Sequence, residues 1–253
     1  MENKLIVTHD AGFFSCCTIR LQSIINFYNK TGLLPEVDSS RQWSNYKDDP
    51  QYLDITDKLF KTKDTIIDKK QILFSDDDKE DQFSDYSQIN FGDVNFFVDK
   101  YFSPSDDVEL IKLFFIKKYN IDVNNIISVL FRGNDKSREI HLPSYNQFLI
   151  KIDELKLKYP EFKLLIQTDE NEFCDFIKSK YPDSIVIQEL KRINRSDTAI
   201  QFVTPIGERF NLAKNFLGVM KIISETSHLI TNKGNVGMWS CLFRGNFNNV
   251  HII

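Results

Sequence analysis

The sequence predicts an α/β fold whose second half forms a doubly wound parallel sheet, and three observations support this. Residues 124–253 alternate short apolar runs, rich in β-branched side chains, with longer segments of helical periodicity. The connections between these segments are short, as in βαβ units. Residues 4–38 show the same order once, as strand, glycine-containing loop, helix and strand. We therefore expect two Rossmann-like lobes, 1–105 and 106–253, that share a cleft.

The first lobe begins with a predicted strand at residues 4–7 and a loop that ends at Gly12. Apolar residues close to helical spacing then predict a helix over 13–28, and Gly32 is a stop signal behind it. A short strand is expected at 33–38. This order is the beginning of a parallel sheet.

Residues 39–105 mix aromatic side chains with Asp, Lys and Ser, and they predict short, irregular elements. The acidic run at 76–81 is expected in a solvated loop and not at a metal. The aromatic residues of this part are Trp43, Tyr46, Tyr52, Phe60, Phe74, Phe83 and Tyr86.

The second lobe begins with an amphipathic helix predicted at 106–119, with Ser105 as its N-cap and acidic residues in its first turn. Further strands are expected at 124–131, 162–167, 184–189, 228–231 and 250–253. Further helices are expected at 144–159, 170–181, 209–226 and 236–243. Such alternation is typical of a doubly wound sheet.

The composition limits the classes of protein that fit. Hydrophobic residues make up 42% of the 253 residues, which suffices for a core, and a formal charge of −4 disfavours nonspecific nucleic-acid binding. We expect a cytoplasmic protein without a transmembrane segment, because there is no run of 18 apolar residues and no signal-peptide layout. Cys16, Cys17, Cys174 and Cys241 lack zinc-ligand spacing and are expected to be reduced.

The most informative stretch is residues 127–136, an apolar strand that ends abruptly at Arg132 and Gly133. Loops at the carboxyl ends of buried strands hold the ligands of open α/β sheets. Arg132, followed three residues later by Asp135, suits a phosphate site in which a carboxylate orients the guanidinium. We expect a nucleotide-bearing ligand there, and a surface ion pair in a turn is the alternative.

Two further loops follow strands of the same predicted sheet. Thr168, Asp169 and Glu170 either belong to the site or cap the next helix. Gly234 and Asn235 precede the last helix, where backbone amides could hold a phosphate, and a plain tight turn is the alternative. We expect this last loop to fall beside the first one at the same edge of the sheet.

The corresponding loop of the first lobe contains His9, Asp10 and Gly12. Either His9 or Asp10 could act as a base or hydrogen-bond partner for an acceptor. Both could equally be polar loop residues without a role in a site.

At these loops the chain resembles the fucosyltransferase superfamily of GT-B fold, which includes α-1,6-, α-1,2- and protein O-fucosyltransferases. The signature of that group is a strand that ends in H-x-R-R-x-D, whose arginine grips the diphosphate of GDP-fucose. Arg132, Asp135 and Lys136 match it here. Leu130 and Gly133 stand in place of the histidine and the second arginine.

The resemblance covers most of residues 125–243 and roughly the first 38. It implies that lobe 1–105 lies on the acceptor side and that lobe 106–253 binds the nucleotide sugar. It implies an inverting, metal-independent glycosyltransferase without a cofactor, with GDP-fucose or a related nucleotide sugar as donor and a glycan, glycolipid or protein as acceptor. On this basis Arg132 neutralises the leaving diphosphate and Glu139 is the base for the acceptor hydroxyl, with Asp10 as second choice. The donor-binding residues are expected to be Gly12, Arg132, Asp135, Lys136, Asp169, Glu170, Gly234 and Asn235.

Two alternatives stay open. The fold could use another nucleotide sugar, or it could be a non-catalytic nucleotide- or carbohydrate-binding protein on a degenerate glycosyltransferase scaffold. Leu130 and Gly133 at two signature positions favour the second alternative. A phosphoryl-transfer enzyme is disfavoured, because the sequence has no G-x-x-x-x-G-K-[ST] loop.

Overall fold

The computed structural model describes residues 3–47, 54–64, 71–74 and 85–253. Its strands are β1 (Lys4–Ile6), β2 (Glu36–Asp38), β3 (Phe60–Lys61), β4 (Ser103–Pro104), β5 (Ile126–Phe131), β6 (Lys163–Thr168), β7 (Ile185–Val186), β8 (His228–Thr231) and β9 (Val250–Ile252). Its helices are α1 (Phe13–Thr31), α2 (Thr56–Leu59), α3 (Phe91–Tyr101), α4 (Asp106–Tyr119), α5 (Tyr145–Lys158), α6 (Asn171–Lys180), α7 (Arg209–Glu225) and α8 (Asn235–Arg244). The predicted acidic loop at 76–81, Tyr52 and Phe83 lie outside the described residues.

A five-stranded parallel sheet forms the centre of the second half, in the order β7-β6-β5-β8-β9. From β5 the chain moves outward to β7, and it then returns to the opposite side of β5 to add β8 and β9. The predicted doubly wound sheet is therefore confirmed. Its strand order reverses between β5 and β8, and sheets of this kind bind ligands at such a switch point.

The predicted strand–helix–strand beginning is also present, because β1 and β2 pair in parallel across α1. Helix α1 follows Gly12 and runs three residues beyond the predicted end, to Thr31. Gly32 ends it with φ 71°, and its amide donates to the carbonyl of Tyr28 at 2.7 Å. A glycine takes up this left-handed backbone conformation at little cost.

The largest correction concerns residues 39–105, where one regular helix was not predicted. Helix α3 has 11 residues and buries Val94, Phe97, Val98 and Tyr101. These four residues follow helical spacing, so the sequence carried the signal among its many polar neighbours. The strand expected at 184–189 is also shorter, since only the two residues of β7 join the ladder.

Helix α4 spans the predicted residues, and the Ser105 hydroxyl accepts a hydrogen bond from the amide of Val108 at 3.4 Å. Asp106, Asp107 and Glu109 lie in its first turn, where carboxylates interact favourably with the helix dipole. The predicted N-cap is therefore confirmed.

Two clusters of buried apolar side chains cover the two faces of the five-stranded sheet. On one face, α5 and α6 pack against β5 and β6, and the rings of Phe131 and Phe173 stack with their centroids 4.4 Å apart. On the other face, α1, α3, α7 and α8 share one core, in which the ring of Trp239 lies 5.9 Å from Phe14 and 4.7 Å from Phe102. The described part of the first hundred residues thus contributes side chains to this second core, and a domain boundary at residue 105 stays a prediction.

The sequence analysis expected no transmembrane segment, reduced cysteines and no metal site, and three findings concern these features. No helix in the described part of the chain is long and apolar enough to cross a membrane. All four cysteines are buried and carry free thiols. Within residues 3–47, 54–64, 71–74 and 85–253, no group of three or more His, Cys, Asp or Glu side chains is arranged to hold a metal ion.

Candidate functional site

A cleft of about 540 Å³ lies over the carboxyl ends of β5 and β8, at the switch point of the sheet. Loops after β1, β5, β7 and β8 contribute to its walls, together with the turn Ser44–Tyr46. The predicted site residues that line it are Asp10, Gly12, Arg132, Asp135, Lys136, Glu139, Gly234 and Asn235. The structure thus brings together predicted residues from three separate loops of the sequence.

Arg132 is the first residue after β5, and two carboxylates hold its guanidinium. Its Nη2 donates to Asp135 Oδ1 at 2.8 Å, and its Nε lies 3.1 Å from Asp169 Oδ2. Burial would lower the pKa of Arg132, but the charges of Asp169 and Asp135 outweigh burial and raise the pKa above its ordinary value. A guanidinium held on two sides has a fixed direction, so it can donate hydrogen bonds to an anion such as phosphate from a fixed position.

The backbone of Arg132 is held by Asn232, a residue for which the sequence analysis predicted no role. Asn232 follows β8, and its Oδ1 accepts from the Arg132 amide at 3.0 Å while its Nδ2 donates to the Arg132 carbonyl at 2.9 Å. This side-chain amide continues the hydrogen bonding between β5 and β8 beyond the strand ends. It ties the loop that carries Arg132 to the loop before α8.

Asp169 and Glu170 lie behind the cleft and support the loop after β5. The amide of Gly133 donates to Asp169 Oδ1 at 2.9 Å, and the amide of Asn134 donates to Glu170 Oε1 at 3.1 Å. The Asn134 side chain adds a bond to the Asp169 carbonyl at 2.8 Å. Both carboxylates are buried and line no part of the cleft. Asp169 contacts the Arg132 guanidinium directly, and Glu170 holds the backbone of the loop.

Gly133 is packed so tightly that no side chain fits at its position. A Cβ atom there would lie 1.9 Å from Glu170 Oε1 and 2.8 Å from the ring of Phe131. Glu170 cannot easily move aside, because it is fully buried and accepts hydrogen bonds from Asn134 and from the Tyr145 hydroxyl. The second arginine of the signature is therefore incompatible with this arrangement of Glu170.

We expect Gly133→Ala to destabilise the fold by about 3 kcal/mol, because the added methyl group must displace a buried, hydrogen-bonded carboxylate. For a chain of this size that loss lowers the melting temperature by roughly 6–12 °C. The matched control is Gly207→Ala, since a Cβ at Gly207 meets nothing within 4 Å. Scanning calorimetry that gave both variants the same melting temperature would contradict this packing argument.

Lys136 and Glu139 form an ion pair on the wall of the cleft. The Lys136 side chain passes over Gly234, where a Cβ atom would lie 3.0 Å from Lys136 Cε. Gly234 has φ 144°, which only glycine adopts readily, and it is the N-cap residue of α8. The predicted proximity of the Gly234 loop to the loop after β5 is confirmed.

Tyr86 braces the Gly234 turn from the segment before α3. Its buried hydroxyl accepts from the Gly234 amide and donates to the Gly234 carbonyl at 2.7 Å. The Gly234 amide, which we expected to contact a phosphate, is therefore already bonded to Tyr86. Amides of the first turn of α8 remain at this wall, since the first N–H groups of a helix have no intrahelical acceptor.

Two helices, α1 and α8, begin at the cleft. Gly12 precedes α1, and the Tyr46 hydroxyl accepts from the Phe13 amide at 3.1 Å. The Thr18 hydroxyl donates to Asn235 Oδ1 at 2.7 Å and so joins the second turn of α1 to the first residue of α8. Each helix end carries partial positive charge, which favours an anion between them.

The charged side chains that line the cleft are Arg132, Lys136, Arg138, Lys233, Asp10, Asp135, Glu139 and Asp197. Positive and negative charges balance in this set, and the carboxylates of Asp135, Glu139 and Asp197 are paired with neighbouring cations. The amino ends of α1 and α8 add partial positive charge to this set, which favours an anion such as a diphosphate in the cleft.

Of the two polar candidates after β1, only Asp10 lines the cleft. Its carboxylate accepts from the Ser44 amide at 2.9 Å and from the Ser44 hydroxyl. His9 instead lies with Nε2 2.9 Å from the Ser15 hydroxyl oxygen and outside the cleft wall.

Two solved structures share this fold over nearly the whole chain. The structure of NodZ alpha-1,6-fucosyltransferase soaked with GDP-fucose superposes with a TM-score of 0.60, at 13% identity, over 96% of this chain and 93% of that one. The same enzyme co-crystallised with GDP gives a TM-score of 0.55, again at 13% identity, over 91% and 88% of the two chains. The sequence matches no protein-family model and no curated protein. The expected α/β fold is confirmed, and it is the fold of these two fucosyltransferase structures.

Proposed function

We propose that this protein is an inverting, metal-independent glycosyltransferase. Its donor is a GDP-sugar, with GDP-fucose as first choice, and its acceptor is a hydroxyl group of a glycan, glycolipid or protein. The observation that carries the proposal is Arg132, clamped by Asp135 and Asp169 beside the first turn of α8. The likeness to NodZ structures soaked with GDP-fucose or co-crystallised with GDP supports this choice of donor.

The main contribution to the rate comes from stabilising the leaving diphosphate. As the bond between sugar and phosphate breaks, negative charge grows on the β-phosphate. Arg132 lines the cleft, and its Nη1 has no hydrogen-bond partner in the described part of the chain, so this group is available to the diphosphate. Donors already fixed in place stabilise the developing charge without reorganisation.

The acceptor hydroxyl also needs a base, and two carboxylates line the cleft at suitable positions. Glu139 is partly exposed beside Lys136, and Asp10 lies in the loop after β1 with Ser44 as its partner. We assign the base to Glu139, because it is carried by the same loop as Arg132 and can be held close to the reacting sugar. Asp10 is the second candidate.

The test is a thermal-shift screen with GDP, UDP, CMP and their sugar conjugates, with and without EDTA. A nucleotide at 100 times its Kd stabilises the folded state by about 2.7 kcal/mol, which raises the melting temperature by roughly 5–11 °C. We expect that shift with GDP and GDP-fucose, and we expect it to survive EDTA. A shift with UDP or CMP alone would reject the GDP-sugar, and loss of the shift in EDTA would reject metal independence.

A second candidate function is a non-catalytic binding protein. The packing of Gly133 against Glu170 favours it, because the second arginine of the signature has no place here. The two functions differ in turnover. An enzyme releases fucose from GDP-fucose slowly even when water is the only acceptor, whereas a binding module returns the donor intact.

A further inference from the structure

Helix α4 exposes three adjacent apolar side chains on the face that points away from the core. Val108 and Phe115 are buried and anchor the other face. Leu110, Leu113 and Phe114 are 65%, 56% and 53% exposed, and at spacings of three and four residues they lie side by side on the helix. A surface helix normally carries polar residues there, so this apolar stripe indicates a surface that another molecule covers.

The two ends of the apolar stripe carry opposite charges. Asp106 and Asp107 lie one turn before it, Lys117 and Lys118 lie one turn after it, and all four are exposed. Asp106 and Lys118 each pair with a residue of this chain. Asp107 and Lys117 form no ion pair within the described part of the chain. A molecule that covers the stripe should therefore be apolar at its centre and offer a cation to Asp107 and an anion to Lys117.

We propose that this molecule is a second copy of the chain, and that the two α4 helices pack antiparallel across a two-fold axis. In that arrangement the first turn of each helix lies beside the last turn of the other. Asp107 then faces Lys117 of the second copy, and the two-fold symmetry forms the same pair again at the other end. The two apolar stripes meet between these ion pairs and are removed from water.

The same charges argue against a membrane as the covering surface. Helices that lie on anionic lipid carry basic residues along their polar face, whereas α4 begins with Asp106, Asp107 and Glu109. A parallel pair of α4 helices is also disfavoured. It would place Asp107 beside Asp107 of the second copy and Lys117 beside Lys117, and like charges repel.

A single pair of helices makes a small interface. Helix α4 has 14 residues and is about 21 Å long, so the contact lies at the lower end of the size range of specific interfaces. We expect a dissociation constant in the micromolar range. No residue of α4, which the structure describes over its whole length, lines the cleft. The dimer therefore leaves the cleft open, and it does not depend on the proposed function.

The dimer is tested by sedimentation velocity of the whole chain between roughly 1 and 100 µM, where we expect a reversible equilibrium of monomer and dimer. Leu113→Glu should raise the dissociation constant about 100-fold or more, because it places a carboxylate at the apolar centre of the interface. The matched control is Leu157→Glu, which makes the same change at a leucine of α5 that is 87% exposed and should leave the dissociation constant unchanged. A chain that stays monomeric at roughly 100 µM, or equal association of the two variants, refutes the dimer.

The antiparallel arrangement is tested by exchanging charges. Asp107→Lys alone creates two like-charged contacts with Lys117 of the other copy and should weaken association roughly tenfold. Adding Lys117→Asp restores opposite charges at both contacts and should recover most of the lost affinity. Melting temperatures show that each variant is folded. If the double variant associates no better than the single one, the antiparallel α4 pair is refuted. If the unmodified chain is monomeric and sediments with vesicles that contain phosphatidylserine, the stripe binds lipid and the dimer is likewise refuted.

Discussion

Replacing Arg132 by lysine is expected to lower the rate of sugar transfer about 100- to 1,000-fold, the usual cost of losing one fixed donor at a developing anion. The guanidinium contacts Asp135 and Asp169 through Nη2 and Nε and still presents a further nitrogen to the cleft. A lysine ammonium is a single point charge on a flexible chain, whereas the guanidinium offers separate nitrogens to Asp135, to Asp169 and to the cleft. GDP affinity should fall roughly 10- to 100-fold, because a charge-assisted hydrogen bond is lost.

Lysine is a better test than alanine at this position. Arg132→Ala would leave the buried carboxylate of Asp169 without its cation, and breaking such a pair costs about 3–5 kcal/mol of stability. Loss of binding would then be mixed with loss of fold. The control is Arg41→Lys, at an exposed arginine that does not line the cleft. If calorimetric titration gave Arg132→Lys and Arg41→Lys equal GDP affinity, Arg132 would not be the phosphate ligand.

Most helices and strands of the second half were predictable because they are long enough to show a clear pattern of apolar residues, and the two-residue strand β7 is the exception. Residues Ile126 to Phe131 are all buried, as in other parallel strands covered on both faces, and apart from Ser128 they form an apolar run. Once the strands were predicted, the position of the site residues could be predicted as well, because parallel strands place their carboxyl ends at the same edge of the sheet. Arg132 and Gly234 could be expected near one another before any coordinates were known.

The residues that hold the loops of the site in place could not be predicted, because they act through contacts between distant parts of the chain. Tyr86 and Gly234 are 148 residues apart, and Arg132 and Asn232 are 100 residues apart. Nothing in the local sequence around Tyr86 distinguishes it from the other aromatic residues of that segment. Asn232 lies in a polar turn where several amide side chains are possible partners.

The packing of Gly133 also shows why a missing signature residue does not by itself indicate a missing site. The glycine lets the carboxylate of Glu170 approach the backbone of the loop, where it accepts from the Asn134 amide. Burial raises the pKa of Glu170, while the hydrogen bond from Tyr145 opposes that increase. The loop that carries Arg132 is thus held from behind by Asp169 and Glu170.

The assignment of the base leads to the second large expected effect. Glu139→Gln should lower the rate of sugar transfer about 100- to 10,000-fold, because an amide cannot take the proton of the acceptor hydroxyl. GDP binding should change little, since the amide keeps the shape of the side chain. The lost ion pair joins the buried ammonium of Lys136 to a half-exposed carboxylate, and the amide oxygen of the glutamine can still accept a hydrogen bond from that ammonium.

Asp10→Asn provides the matched comparison, because it makes the same chemical change at the other carboxylate candidate in the cleft. Transfer rates and GDP affinities are measured for both variants with the same acceptor. A base at Glu139 requires that Glu139→Gln loses turnover while it still binds GDP, and that Asp10→Asn retains most of its turnover. The reverse result would move the base to Asp10 and place the acceptor on the α1 side of the cleft.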